Sequence, residues 1–322
     1  MNIHHMDFTV AICTYNGAKR IPEVLECLYK QVDLEGIKWE VIVVDNNSTD
    51  NTVEIVSKYA QNWRLDCQLR CVFEPVQGLA AARQKAIESA KSNFIGFLDD
   101  DNLPVENWVY EAYIFGRQNS QIGTYGSIIY PKLDTPIPSY FKQINSLLAV
   151  NNPGESSFCY ARDAKPRKVP AGAGCVVRKQ AWLEYVPPKL SRHGRDENKN
   201  KMAGCGEDTE ALYHIQNSRW EIWHNPQMKI YHHIEPRRLE RDYLLKLSRG
   251  FGLANYTFRL TRLYPWQRPF MPLLTPFYII SDAYKLIFYY SRYRNKFATD
   301  ISKACEFQGR IGRFMSSFSF LK

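Results

Sequence analysis

No run of this chain is long and apolar enough to cross a bilayer. After Pro265 the longest stretch without a charged side chain is residues 269–281, 13 residues broken by three prolines, whereas a spanning helix needs roughly 20 apolar residues. No apolar region of the secretory kind follows Met1. The eight cysteines form no CxxC pair and have no histidines at zinc-ligand spacing, which argues against a structural zinc site. With no disulfide pattern to read, the thiols suit a reducing, cytosolic compartment. The turn after the first predicted strand is Thr14-Tyr15-Asn16-Gly17. That turn contains no GxGxxG, which argues against a dinucleotide-dependent oxidoreductase. Neither internal repeats nor low-complexity tracts occur.

Acidic residues are scarce only near the end. From Arg237 onward Lys and Arg outnumber Asp and Glu by 16 to 5, while residues 1–236 carry 26 against 28. The net charge of +9 therefore belongs to the C-terminal quarter. A basic tail suits nucleic acid, an anionic membrane surface or merely solvent. Its Trp, Tyr and Phe content favours the bilayer interface, and its distance from the candidate site residues argues against nucleic acid. Within it Ile279, Ala283, Leu286, Ile287 and Tyr290 recur at helical spacing. That amphipathic segment would either lie in a membrane interface or pack on the rest of the protein.

What is present is enough apolar residue, 45% of 322, to bury a substantial core. Apolar runs at 8–12, 41–44, 69–73 and 94–98 predict strands. Between them helical periodicity appears in Ile21, Val24, Leu25 and Leu28, then in Val53, Val56 and Tyr59, then in Leu79, Ala82, Ala86 and Ala90. The alternation predicts an α/β fold, a Rossmann-like sheet with helices on both faces. Residues 103–190 are less regular, although 169–178 reads as a glycine-bearing turn feeding a strand. Residues 191–206 are charged, polar and carry three glycines, a composition expected of a mobile loop. A helix is expected from about Glu207, then a strand over 228–231 before His232.

The strands end in polar clusters: Thr14-Tyr15-Asn16, Asp45-Asn46-Asn47-Ser48 and Asp99-Asp100-Asp101-Asn102. In open α/β sheets ligands bind beyond the carboxyl ends of the strands, so three such clusters describe one site. Three adjacent carboxylates repel unless a cation or hydrogen-bond donors compensate them. Mg²⁺ or Mn²⁺, held by one or two carboxylates and completed by diphosphate oxygens and water, satisfies that need. A plain acidic turn is the alternative.

These residues resemble the family 2 glycosyltransferases of GT-A fold. The resemblance covers residues 7–260. It rests on Thr14-Tyr15-Asn16, Val43-Val44-Asp45-Asn46-Asn47-Ser48-Thr49-Asp50, Gly78-Leu79-Ala80-Ala81-Ala82-Arg83, Leu98-Asp99-Asp100-Asp101-Asn102 and Gly206-Glu207-Asp208. More narrowly, the chain looks like cyanobacterial hormogonium polysaccharide glycosyltransferases. The resemblance implies a GT-A domain over 1–260 with a basic, amphipathic helical tail over 261–322. It further implies an inverting transfer of sugar from a nucleotide diphosphate sugar, most simply a UDP-sugar, to a hydroxyl of a saccharide or lipid-linked saccharide. The location would be the cytoplasm, with peripheral attachment to the inner face of the plasma membrane open.

Roles follow by position. Thr14, Tyr15, Asn16 and Asn47 would line the nucleotide pocket, and Asp45 would accept the N3–H of uracil. Arg83 would meet the diphosphate or order the triplet. Asp99 or Asp100 would hold the ribose, and Asp101, with Asp99 and His232 as further candidates, would ligate the metal. Asp208 would be the base that takes the acceptor proton, with Glu207 the alternative, although a helix start tends to weaken a carboxylate as a base. Gly172 and Gly174 would let backbone approach the donor sugar or acceptor. Each residue also has a plain structural reading: Asp45 and the Glu207-Asp208 pair as helix caps, Arg83 in a surface ion pair, His232 as a satisfied structural histidine, the glycines as a tight turn. A non-catalytic nucleotide-sugar-binding or scaffold protein is the competing function, disfavoured because Asp101 and Asp208 are both present.

Overall fold

The computed structural model describes residues 6–64, 66–194 and 204–318. In chain order, strand β1 (Phe8–Thr14) leads to helix α1 (Ile21–Tyr29), β2 (Trp39–Asp45), α2 (Thr52–Gln61), β3 (Cys67–Phe73), α3 (Leu79–Ser89) and β4 (Phe94–Asp99). Then come β5 (Asn102–Pro104), α4 (Trp108–Gln118), β6 (Ile122–Leu133), α5 (Phe141–Ile144), β7 (Phe158–Cys159), β8 (Val176–Arg178) and α6 (Lys179–Tyr185). The last third holds α7 (Glu207–Gln216), β9 (Glu221–Ile234), α8 (Arg241–Leu253), α9 (Asn255–Arg262), α10 (Met271–Tyr293) and α11 (Ile301–Ser316).

The sheet runs β3-β2-β1-β4-β8-β6-β9-β5, with β7 added beside β9. The first four strands are parallel, as expected from the βα alternation. β8 then joins antiparallel to both β4 and β6, so the whole sheet is mixed. Alternation along β1 shows why helices cover both faces. Phe8, Val10 and Ile12 pack with α1 and α4 residues such as Leu25 and Trp108. Ala11 and Cys13 point the other way, toward Ala82 and Ala86 of α3 and Leu212 of α7. A strand buried on both faces reads as a continuous apolar run, and β1 is one.

At the far end of the sheet from the polar turns lies a satisfied buried carboxylate. Glu40 accepts from Thr9 Oγ1 at 3.0 Å, Lys91 N at 2.7 Å and Arg70 Nε at 3.0 Å.

The C-terminal helices share a third core: Leu244 and Leu247 of α8 and Cys305 of α11 pack with Phe141, Ile144 and Leu148. α8 and α11 cross at Gly252 and Gly312, where an added Cβ on Gly312 would fall 2.3 Å from the Arg249 carbonyl. No helix among the described residues is long and apolar enough to cross a membrane. The tail segment differs from its predicted face. Ile279, Ala283 and Leu286 are half-buried, and Ile287 and Tyr290 are exposed, because α10 presents a different stripe to α9 and α11.

Candidate active site

The parallel register sets the ends of β1, β2 and β4 level, pairing Thr14 with Asp45 and Cys13 with Asp99. Asp45 is buried. Its Oδ2 accepts from Ser48 N at 3.3 Å, while its buried Oδ1 has no partner among the described residues. A buried carboxylate oxygen left unsatisfied is costly, and a donor on a bound base would satisfy it. Asn16 and Asn47 both take left-handed backbone, at φ +50° and +62°, which asparagine tolerates better than most residues. Asn16 Oδ1 accepts from Thr49 N at 2.8 Å, so it ties the two turns together. Asn47 is exposed, whereas Asn46, which the sequence did not single out, is buried. Asn46 donates to the carbonyls of Glu74 and Val76 and accepts from Gly78 N, fixing the approach to α3. Tyr15 is half-buried beside these groups, and its carbonyl accepts from Arg20.

The acidic triplet is neutralised one carboxylate at a time, each by its own arginine. Asp99 lies 3.4 Å from Arg83 Nη2. Asp100 takes two bonds from Arg20, at 2.9 and 2.8 Å, and one from Thr14 Oγ1 at 2.6 Å. Burial nevertheless pushes the Asp100 carboxyl up, against the pull of Arg20. Asp101 Oδ2 accepts from Arg238 Nη1 at 2.8 Å and lies 3.3 Å from His232 Nε2. Asn102 braces the turn, accepting from Asp99 N and donating to Asp101 Oδ1. Thr14 therefore serves the triplet directly, in addition to lying beside the nucleotide turns. Arg20 and Arg238 were not legible as site residues.

Asp101 and His232 meet because β5 pairs antiparallel with β9, placing Asn102 opposite His232. His232 is buried and its Nδ1 has no partner among the described residues. His233 points elsewhere, to Glu23 and Asp134. Among the described residues no three His, Cys, Asp or Glu side chains converge as a closed metal cage. Two ligands suffice for a hard divalent ion that takes the rest of its shell from diphosphate and water. Asp101 and His232 fit that open arrangement, since a cation already bridges them: Arg238 Nη1 lies 2.8 and 3.0 Å from their reactive atoms. Asp99, also expected as a metal ligand, lies 3.4 Å from Arg83 Nη2 and lines the same cavity.

Across the cleft, Gly206 at φ +91° starts α7 with Glu207 and Asp208 in its first turn. Residues 195–203 of the expected loop lie outside the described residues. Glu207 is buried and 3.4 Å from Arg83 Nη1, whereas Asp208 is half-buried. Asp208 Oδ2 accepts from Gly172 N at 2.9 Å and Oδ1 from Thr209 N at 2.7 Å. Arg83 thus links the triplet to the two acids of α7. Burial works against its charge, but Asp99, Glu207 and Asp208 outweigh that and hold its pKa above the usual value. The Cys13 thiol beneath them is pushed up by burial to about 12, so it is no thiolate nucleophile.

These groups line a cavity of about 850 Å³ bounded by Arg83, Asp99, Gly172, Glu207, Asp208 and Arg238 on one side and by residues 146–153 and 158–161 on the other. Gly172 lines the cavity and also makes room for the side chains behind it. A Cβ there would fall 2.7 Å from Asp208 Cβ and 2.9 Å from Arg83 Nη1. Gly174 corrects the second glycine expectation. At φ +64° it is packed against Ser127 and Ile230, and its carbonyl accepts from Ser127 Oγ, so it serves as an interior turn.

A parallel half-sheet, a mixed second half and polar turns at the carboxyl strand ends define the GT-A class of fold. Residues 9–184 match the family Glycosyl transferase family 2, and the chain belongs to that family. A curated relative, the poly(ribitol-phosphate) beta-N-acetylglucosaminyltransferase TarS of Staphylococcus aureus, is 37% identical over 110 residues, 34% of this chain and 19% of TarS. Glycosyltransferase AglE of Haloferax volcanii is 31% identical over 134 residues, 41% of this chain and 43% of AglE. Both matches span less than half of the relative's own length. Among solved structures, the mannosyltransferase PcManGT from Pyrobaculum calidifontis, in complex with GDP-Man and Mn²⁺, aligns over 99% of this chain and 89% of its own at 16% identity, with a TM-score of 0.60. TarS residues 1–349 in complex with UDP align over 98% and 92% at 17% identity, with a TM-score of 0.53. At such identities the likeness concerns the fold. These relatives do not test the narrower likeness to hormogonium polysaccharide enzymes.

Proposed function

We propose that the chain transfers a sugar from a nucleotide diphosphate sugar, most simply a UDP-sugar, to a hydroxyl of a saccharide or lipid-linked saccharide, with inversion at the anomeric carbon. The observation carrying this reading is the Arg83 bridge, which brings the triplet's Asp99 and the α7 acids Glu207 and Asp208 onto one cavity. Asp45, with its unsatisfied Oδ1, takes the donor N–H of the base. Arg83 faces the diphosphate and stays charged throughout. Asp101 and His232 hold Mg²⁺ or Mn²⁺, which when bound neutralises charge on the departing nucleoside diphosphate.

Asp208 is the base, because Glu207 is buried and committed to Arg83. The Gly172 amide fixes one carboxylate oxygen. As the acceptor oxygen bonds to the anomeric carbon and the diphosphate oxygen leaves, Asp208 receives the acceptor proton. One displacement needs one base and no covalent intermediate, hence inversion. Residues 1–260 are the transferase unit and 261–322 an appendage packed against it. The eight free thiols support a reducing, cytoplasmic setting.

The test is a panel of nucleotide sugars assayed for binding and for slow hydrolysis with Mg²⁺ and Mn²⁺, using the native chain and Asp208→Asn. Turnover should fall by roughly 10²–10⁴ in the variant, with donor binding retained. Native-like turnover by Asp208→Asn would place the base elsewhere. An absence of any metal-stimulated nucleotide-sugar binding would favour a scaffold.

A further inference from the structure

We propose that the outward face of α10 is a membrane-docking surface for an anionic phospholipid bilayer. α10 is packed on one side only. Met271, Thr275, Asp282 and Tyr289 face inward. There Asp282 takes two bonds from Arg259 at 2.7 and 2.9 Å, and Tyr289 donates to Glu306 of α11. On the other side Leu273, Phe277, Ile280, Tyr284 and Ile287 follow one another at alternating steps of four and three, a single stripe along the helix, each between 67% and 71% exposed. Phe288 widens the stripe, and Trp266 and Phe270 extend it through the 3₁₀ segment Pro265–Phe270. The largest apolar patch on a monomer is ordinarily about 300–600 Å², and eight large side chains, each at least 52% exposed, exceed it.

Charge selects the occupant. Between residues 263 and 299 the only acid is Asp282, which is buried and paired, while Arg268, Lys285, Arg292, Arg294 and Lys296 are cationic. An apolar stripe bordered by cations matches an acyl boundary beneath anionic headgroups. A second copy of the chain docked by the same face would bring five cations toward five cations, which is unfavourable. Trp266, Tyr264 and Tyr284 are side chains that favour the bilayer interface. The helix lies along the surface rather than through it, since no described helix can span.

The face adjoins the cavity. Arg162 lies 3.4 Å above the Tyr264 ring at the start of the stripe, in the same loop as Ala161 and Arg167 of the cavity wall. A docked protein would therefore present this wall near the lipid surface. The inference is independent of the transfer reading, because binding is measured without donor or acceptor.

The full chain is sedimented with vesicles of neutral phosphatidylcholine and of phosphatidylcholine mixed with phosphatidylglycerol, at low and high salt. Binding should require the anionic lipid, weaken with salt, and fall about tenfold or more in the triple variant Phe277→Ser, Ile280→Ser, Ile287→Ser. The variant should keep its thermal midpoint, since these side chains project into solvent. Lys285→Glu with Arg292→Glu should weaken binding to anionic vesicles as well. Absence of native binding to anionic vesicles overturns the proposal, as does unchanged binding by the triple variant. A dimer seen by light scattering and abolished by the triple variant would assign the face to a second copy and equally overturn it.

Discussion

Arg238 places Nη1 2.8 Å from Asp101 Oδ2 and 3.0 Å from His232 Nε2, so one guanidinium nitrogen touches both atoms proposed to receive a divalent ion. Arginine and metal cannot use those lone pairs together. Binding of the ion must release Arg238 toward the cavity it already lines, where a freed guanidinium meets an anionic diphosphate.

Arg238→Gln should therefore bind Mn²⁺ more tightly in the absence of nucleotide. The gain should be on the order of tenfold, the worth of one charge-assisted hydrogen bond removed from competition. Titration followed by the Mn²⁺ electron paramagnetic resonance signal measures it. Weaker Mn²⁺ binding would mean that the arginine supports the ion's site instead of contesting it.

Asp45→Asn keeps the shape of the side chain while removing its charge and one acceptor oxygen's full strength. UDP affinity should fall roughly 10–100-fold by calorimetry, with the melting temperature unchanged or higher because an unsatisfied buried carboxylate oxygen is relieved. A lower melting temperature at unchanged UDP affinity would make Asp45 a brace for the Ser48 turn and nothing more.

At Gly172 a single methyl group would collide with Asp208 and Arg83. Gly172→Ala should lower kcat by roughly 10–100-fold through displacement of the base, with a smaller change in donor KM. Steady-state kinetics separates the two parameters, and an intact kcat would show that Asp208 need not hold its present position.

His214 on α7 is held by burial, assisted by Arg268, at a pKa of about 4, below its usual value near 6.5. Folding thus favours the neutral ring, and the unfolded chain takes up the proton first as pH falls. Stability from this group is complete above about 6.5 and is lost as pH drops toward 4, at most about 3 kcal/mol. Urea midpoints of the native chain and His214→Gln at pH 7 and pH 5 should diverge in that direction, the variant losing less.

In the first half of the sheet β1, β2 and β4 were readable because both their faces are buried, which makes them nearly continuous apolar runs, and α1 and α2 because their buried residues recur at helical spacing. The second half was not. β6 carries Gly123 and Gly126, which weaken its apolar pattern and are demanded by Trp220 and Pro170 pressing on the strand. β9 begins seven residues before the predicted strand, because His224 and Asn225 are polar yet buried through bonds to the Gly154 and Glu111 carbonyls. Acidic site residues announced themselves by clustering. Of their counter-cations only Arg83 did, within the Gly78–Arg83 stretch; Arg20 and Arg238 come from distant segments, and only the short turn Pro236–Leu239 decides between Arg237 and Arg238. The glycines were visible, but whether each faced a ligand, a side chain or the interior was a matter of tertiary contact.

The cavity's two walls come from different stretches of chain. Every charged group assigned here to the donor or to proton removal lies at 14–101 or 207–238, while the opposite wall, 146–170, supplies none of them. Such a division lets the 146–170 wall diverge by insertion or replacement while the charged machinery opposite is inherited intact. Grafting a foreign 146–170 segment is accordingly the shortest route to a transferase that glycosylates a new alcohol from the same donor.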